Sequence, residues 1–327
     1  MITQKNLALL KKQHYVVAGK HSAVQICRWT KHSLVGEGEC YKYKFYGIPS
    51  WRCAEISPVA VWCDNQCLHC WRAMEATQGI KMPAKGIDKP ETIIEECLKG
   101  RKKLLSGFGG HSRLDKKRYE ESNDPSHYAI SLIGEPTLYP KIGEMVSLLR
   151  KRGKTSFIVS NGLHPEVLRK LEKKNQLPTQ LYISLNASDE KMFEEWHKSR
   201  LKNAWKKYNE TLDFMKKITE KGKRTVLRMT IVKGKNMDDK SIEGFAKIIK
   251  KSGAMFVEVK SFMSLGSARA RLPYETMPKI DEIRAYAKKL AKEADYLVLD
   301  EHIPSRIVLL GKNKDAKKRM KISKKEI

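Results

Sequence analysis

Residues 62–72 read WCDNQCLHCWR and set Cys63, Cys67 and Cys70 in a C-x3-C-x2-C spacing. Three thiolates this close on one short loop can hold three corners of a cubane iron–sulfur cluster. The fourth iron is then left without a protein ligand. With seven cysteines in 327 residues, this spacing arises by accident only about 0.003 times per chain. The competing reading is a zinc site with His69 as fourth ligand. Just upstream, PVAVW (58–62) reads as a strand running straight into the loop.

The spacing resembles that of the radical S-adenosylmethionine superfamily, whose usual form has an aromatic residue before the third cysteine, where this chain has His69. That resemblance implies an open iron chelated by the amine and carboxylate of S-adenosylmethionine. An electron from the cluster then splits the sulfonium and releases a 5′-deoxyadenosyl radical.

Beyond the loop, apolar strands alternate with amphipathic helices. Strand candidates are 58–62, 128–133, 156–160, 181–185, 225–232 and 254–259; helical stretches include 88–105, 140–152, 165–174, 203–221 and 239–252. Such alternation implies a parallel sheet with covering helices. Six units predict an α/β fold, an incomplete (βα)6 parallel barrel of the radical S-adenosylmethionine type with N- and C-terminal extensions. The expected divisions are an extension at 1–57, a core at 58–290, and an edge segment with basic tail at 291–327. Residues 295–310 are expected to add a strand pair at one edge.

Before the core lies a second cysteine set, Cys27, Cys40 and Cys53, with twelve residues between neighbours each time. Three isolated buried cysteines would explain it. Beside a cluster loop, an auxiliary three-cysteine cluster with one iron open to substrate is the better reading. CYKYKFYGI (40–48) alternates aromatics with lysines and reads as a short strand or extended ribbon. NLALLKKQ near the start reads as a helix. Cys97 falls on the apolar face of a helix and reads as core.

Composition bounds the partners. The net charge of +28 calls for a polyanionic partner, nucleic acid before an anionic membrane, although lysine richness also accompanies hot-living hosts. No apolar run reaches the length of a bilayer span and no secretory signal is evident, so a soluble cytoplasmic protein is expected, with no membrane partner. Residues 106–127 read as a Gly-rich basic loop. Residues 186–207 interleave cations with Trp196, His197 and Trp205, a combination suited to single-stranded RNA. The tail from 311 carries eight cations and two acids and reads as disordered.

Reactive groups of parallel α/β barrels gather at the carboxyl ends of strands. Here those ends offer Gly134, Glu135 and Pro136, then Ser160 and Asn161, then Ser184 and Asn186; the fifth strand carries Arg228, and Lys260 follows the sixth. The GEP turn resembles the superfamily's glycine–glutamate motif, which grips the methionine amino group. The small polar residues and Arg228 are accordingly expected to hold S-adenosylmethionine.

Taken together, CYKYKFYGI, RCAEISPVAVWCDNQCLHCWR, SLIGEPTLYP, SNGLHPE, LYISLNA, LGSARARL and PSRIVLL resemble the tRNA 4-demethylwyosine synthase family of wybutosine biosynthesis. That family implies a lyase that joins N1-methylguanosine, beside the anticodon (position 37) of phenylalanine tRNA, to two carbons of pyruvate. It implies two 4Fe-4S clusters, on Cys63, Cys67 and Cys70 and on Cys27, Cys40 and Cys53. Pyruvate would be activated by chelation at the auxiliary cluster or by a Schiff base on Lys42 or Lys44; chelation is preferred. Eukaryotic members carry an additional flavodoxin-like domain for which 327 residues leave no room, so an external donor of flavodoxin or ferredoxin type is expected. The charge argues for a monomer. Two other readings remain at this point: a radical RNA methyl- or methylthio-transferase, and a zinc-stabilised RNA-binding protein.

Overall fold

A computed structural model describes residues 1–326. One ten-stranded sheet organises them. In chain order its strands are β1 (Val16–Ala18), β2 (Ser22–Gln25), β3 (Cys53–Ser57), β4 (His127–Ile130), β5 (Thr155–Ser160), β6 (Gln180–Leu185), β7 (Arg224–Ile231), β8 (Phe256–Ser261), β9 (Leu297–His302) and β10 (Ile307–Gly311). β3 to β8 are parallel neighbours in sequence order. Antiparallel β2 and β1 extend one side, antiparallel β10 and β9 the other. The two outer strands do not pair with each other among the described residues, so the parallel (βα)6 array is open, as expected of an incomplete barrel.

The period of two in the strands separates two cores. Ile56, Ile130, Ile158, Ile183, Leu227 and Val257 pack outward against the helices. These are α1 (Gln4–Lys12) beside β1, then α4 (Pro90–Leu105), α6 (Ile142–Lys151), α7 (Pro165–Lys173), α9 (Ala204–Glu220), α10 (Asp239–Ser252) and α11 (Ile280–Ala294), which follow the parallel strands. Cys97 lies in this core, 1% exposed. The alternate residues Cys53, Ala129, Phe157, Tyr182, Val226 and Phe256 point inward. They meet α3 (Tyr41–Tyr46), which follows α2 (Arg28–Leu34) and plugs the concave face with Tyr41, Phe45 and Tyr46. Buried Glu258 is tied there by the hydroxyls of Tyr46 (2.8 Å) and Tyr182 (3.1 Å).

Several expectations change. The first parallel strand is 53–57, not 58–62: Pro58 has no N–H to continue a ladder, and 59–62 forms a buried turn with Trp62 N bonded to Val59 O. The expected boundary at 57/58 thus falls at the end of β3, and residues 16–25 share the core's sheet. The 40–48 stretch is helical. Its aromatics at 41, 45 and 46 also fit helical spacing, and Gly47, at φ +76°, caps the helix in the left-handed region. The basic loop at 106–127 contains α5 (Lys116–Ser122), capped by the Asp115 side chain and held by Trp51 Nε1 bonded to Glu121 (2.6 Å). The tail is ordered as far as described. It forms α12 (Lys314–Lys318), Arg224 bonds the Met320 carbonyl (2.9 Å), and Ile322 N bonds Tyr46 O (3.1 Å). Its last residue lies outside the described residues.

Candidate active site

The loop carrying Cys63, Cys67 and Cys70 is held by main-chain bonds from distant segments. α8 (Glu190–His197) offers its last carbonyls: Gln66 N bonds His197 O (2.7 Å) and Leu68 N bonds Trp196 O (2.9 Å). Arg200 N bonds Asp64 O (2.9 Å), and the Arg271 guanidinium grips the carbonyls of Leu68 (3.1 Å) and Cys70. Trp196 and His197, read from sequence as RNA-facing, are each only 4% exposed. They belong to the scaffold of the loop because helix α8 lays its apolar face inward.

Asp64 lies between the first two cysteines and is fully buried. One carboxylate oxygen accepts from Asn161 Nδ2 (3.1 Å) and His164 Nε2 (2.9 Å), while the other has no partner. Burial would lower the His164 pKa, but the bond and charge of Asp64, with Glu135 and Glu166, raise it to about 9. A group raised above its unfolded value of about 6.5 stabilises the fold fully below that pH and loses the effect as pH climbs through 9. His164→Ala should therefore melt below wild type at pH 6.5, and the gap in melting temperature should narrow by pH 9.5. A gap constant across that window would contradict the charged pair.

The three thiols open on a cavity of about 200 Å³. Gly134, Glu135, Ser160, Asn161 and Ser184 line its other side, so five of the residues expected to hold S-adenosylmethionine converge with the cysteines. Gly134 is required by contact: at φ +73°, a Cβ would lie 1.9 Å from Val59 O. Glu135, 2% exposed, accepts from Thr137 N (3.0 Å), Thr137 Oγ1 (2.7 Å) and Asn161 N (2.7 Å). Burial holds it above the ordinary carboxylate range despite those donors. The turn thereby locks the ends of β4 and β5 against the cysteine loop.

Pro136, Asn186 and Arg228 do not line this cavity. Asn186 turns its Oδ1 to Thr230 N (2.9 Å), and Arg228 Nη1 bonds the Tyr41 hydroxyl (3.0 Å) on α3.

All seven cysteines are unpaired. Among the described residues, no three His, Cys, Asp or Glu side chains are gathered tightly enough for a single metal ion. His69 packs at a tilt against Trp196 (5.6 Å) and edge-on to His197 (6.0 Å), and it joins no such ligand group, so the zinc set read from the sequence does not form among the described residues. A cubane, whose irons occupy separate corners, takes its thiolates wider apart. Three thiols on a strapped loop, facing a cavity with an unpaired Asp64 oxygen and an unpaired Asn65 amide beside them, suit it.

Cys27, Cys40 and Cys53 come together in a second, tight niche, with about 10 Å³ of open space. Cys27 precedes α2, Cys40 precedes α3 and Cys53 opens β3. Thr30 Oγ1 bonded to Ser50 O (2.9 Å) and Cys40 N bonded to Ser50 Oγ (2.8 Å) close the long gaps between them. Buried Arg101 braces the floor through the carbonyls of Cys53 (3.0 Å) and Trp51 (2.7 Å). Lys42 joins the niche, its Nζ 3.3 Å from Cys53 Sγ. Lys44 turns away, to Asp300 (2.8 Å) and Glu301 O (2.6 Å). Arg72, after the first loop, bonds Tyr15, Gln25 (2.9 Å) and Glu55 (3.4 Å), and Glu55 lies on β3 with Cys53. This link between the two cysteine sets was not read from sequence, because its partners lie 17 to 57 residues apart.

The family model described as the radical SAM superfamily matches residues 57–246, and that described as wyosine base formation matches 251–312. The S-adenosyl-L-methionine-dependent tRNA 4-demethylwyosine synthase of Pyrococcus abyssi is 44% identical over 303 residues, 92% of this chain and 87% of its own. The synthase of Methanocaldococcus jannaschii is 37% identical over 95% of this chain and 96% of its own. A solved structure of TYW1 with a lysine–pyruvate adduct bound superposes with a TM-score of 0.84 at 36% identity, covering 99% of both chains. Among the described residues no helix is long and apolar enough to cross a membrane. The chain is an enzyme with the radical S-adenosylmethionine fold, whose family implies a 4Fe-4S cluster and S-adenosylmethionine, and it belongs to the tRNA 4-demethylwyosine synthase family.

Proposed function

We propose that this chain condenses N1-methylguanosine at position 37 of phenylalanine tRNA with pyruvate to give 4-demethylwyosine. The observation that carries the reading is the pairing of two three-cysteine sites in one fold, the second with Lys42 inside it, in a family where a lysine–pyruvate adduct has been captured. Cys63, Cys67 and Cys70 would hold the cluster, and Gly134, Glu135, Ser160, Asn161 and Ser184 would seat S-adenosylmethionine. Reduced, that assembly would supply radical chemistry for hydrogen abstraction at the N1-methyl group.

The chain's own residues do the rest. Asp64, Asn161 and Glu135 fix the loop and the cavity wall at one level. Cys27, Cys40 and Cys53 would hold the auxiliary cluster, whose open iron suits a keto acid's carboxylate; the flexible four-carbon stem of Lys42 must give way to seat it in so tight a niche. Lys42 Nζ would attack the keto carbon of pyruvate with loss of water. Lys44, paired outside the niche, would take no part. The Tyr41 hydroxyl accepts from Arg228 Nη1 and so fixes that guanidinium against α3. The tRNA substrate implies work in the cytoplasm. The positive charge suits both tRNA and an acidic flavodoxin- or ferredoxin-type donor, and disfavours self-association.

Reconstituted protein given methylated tRNA, pyruvate, S-adenosylmethionine and dithionite should yield the tricyclic nucleoside by mass analysis. Product formation independent of pyruvate would favour a methyl- or methylthio-transferase instead. In the same assay, Cys40→Ala is expected to form 5′-deoxyadenosine without ring closure. Wild-type ring formation in that variant would remove the second cysteine set from the mechanism.

A further inference from the structure

Trp71 immediately follows the last cysteine of the loop and lines the cavity, yet it is 44% exposed. The other five tryptophans are buried or half-buried. Its ring is fixed. The Arg72 guanidinium stacks on it at 3.4 Å from the centroid, and Arg72 is itself pinned by Tyr15, Gln25 and Glu55. The backbone is equally constrained. Ser267 N bonds Trp71 O (3.0 Å), and Gly266, at φ +51°, passes so close that a Cβ there would fall 2.2 Å from that oxygen. The loop that clamps it carries two further exposed apolar side chains, Leu265 (42%) and Tyr274 (66%).

A rigid, cation-backed indole left open to solvent at the rim of a reaction cavity serves no packing purpose. Exposed apolar groups set among cations mark a binding surface, and a fixed aromatic face among cations suits an unstacked nucleobase. The proposed reaction supplies one. Its target methyl group belongs to a base in a stacked anticodon loop, and chemistry on such a base requires drawing it from the stack. Each interrupted stack is costly, and a ring at the cavity mouth can replace one.

We infer that Trp71 is the platform on which a nucleobase of the tRNA anticodon loop stacks as the target base enters the cavity. This rests on the function proposed above. Trp71 is a positioning residue, because it acts through the placement of the RNA.

The test uses reconstituted holoenzyme of wild type, Trp71→Ala and Trp71→Phe, each checked for iron content and melting temperature. Loss of one base–aromatic stack corresponds to about a 5- to 150-fold rise in KM for tRNA. Trp71→Ala should show that rise with no comparable rise in KM for pyruvate, and Trp71→Phe should recover most of it. An anticodon stem-loop RNA should quench wild-type tryptophan fluorescence, a fully paired RNA duplex should not, and the quenching should vanish in Trp71→Phe. The proposal is overturned if KM for tRNA and the quenching are unchanged, or if KM for S-adenosylmethionine rises instead, which would place the ring on the cofactor. If Trp71→Ala fails to fold, the phenylalanine variant and the fluorescence measurement still decide. Quenching by the stem-loop with no tricyclic product from wild type would sink the proposed reaction while leaving the platform standing.

Discussion

Cys67→Ala is expected to end reductive cleavage of S-adenosylmethionine, with 5′-deoxyadenosine falling by more than about 100-fold; loss of a mere outer-shell partner of a metal ligand already costs 10- to 100-fold. No neighbouring side chain can stand in. His69, one residue before Cys70, is turned toward Trp196 and His197. The loop cannot slide to recruit another ligand, because Gln66, Leu68 and Asp64 are tied to 196–200 through their main chain and Arg271 clamps the carbonyls of Leu68 and Cys70. The same ties should keep the variant folded, with a melting temperature near that of wild-type apoprotein. Iron content should drop to what the second cysteine set retains, and the double variant Cys67→Ala/Cys40→Ala should lose that as well. Normal cleavage with full iron in Cys67→Ala would remove this loop as the radical-generating site.

The part of this site that local sequence spacing carries is the part that was legible. C-x3-C-x2-C lies within eight residues, and Gly134, Glu135, Ser160, Asn161 and Ser184 sit where parallel strands deliver side chains, so strand order alone brings them to one cavity. What stayed hidden depends on partners far along the chain. Asp64 meets His164 across one hundred residues, and nothing within WCDNQC announces that contact. Arg228 lies midway along β7, and its neighbour Tyr41 sits on a helix that reads as a ribbon when its aromatics are counted in twos. Asn186, just past the end of β6, turns its amide to the next strand's Thr230 instead of inward. Trp196 illustrates the opposite error. Aromatics among lysines suggest a binding face, yet the periodicity of α8 buries this ring and leaves the cations outside.

Lys42→Ala should lose ring formation by about 10³-fold or more, the scale on which enzymes lose a nucleophile, while 5′-deoxyadenosine still forms. Lys44→Ala should stay within a few-fold of wild type. The two lysines are two residues apart on α3, about 200° around the helix, and so face different surroundings. Lys44 is half exposed, with its ammonium engaged by Asp300 and Glu301, and an amine held by a carboxylate is a poor attacking group. Lys42 enters the niche of Cys27, Cys40 and Cys53. A rival exists. Burial, then the charge of Arg228, pull Lys260 down to about 8, which favours the free amine that imine formation needs. Against it, Lys260 spends its Nζ on the Ser305 carbonyl at 2.8 Å and does not line the niche. Borohydride reduction in the presence of pyruvate separates them, since it fixes an imine as a stable secondary amine on whichever lysine formed it. Peptide mapping should find the added mass on Lys42 in wild type and in Lys260→Met, and nowhere in Lys42→Ala. A label on Lys260 in the Lys42→Ala protein, with ring formation retained, would move the nucleophile from α3 to β8 and leave Lys42 as a cation of the auxiliary niche.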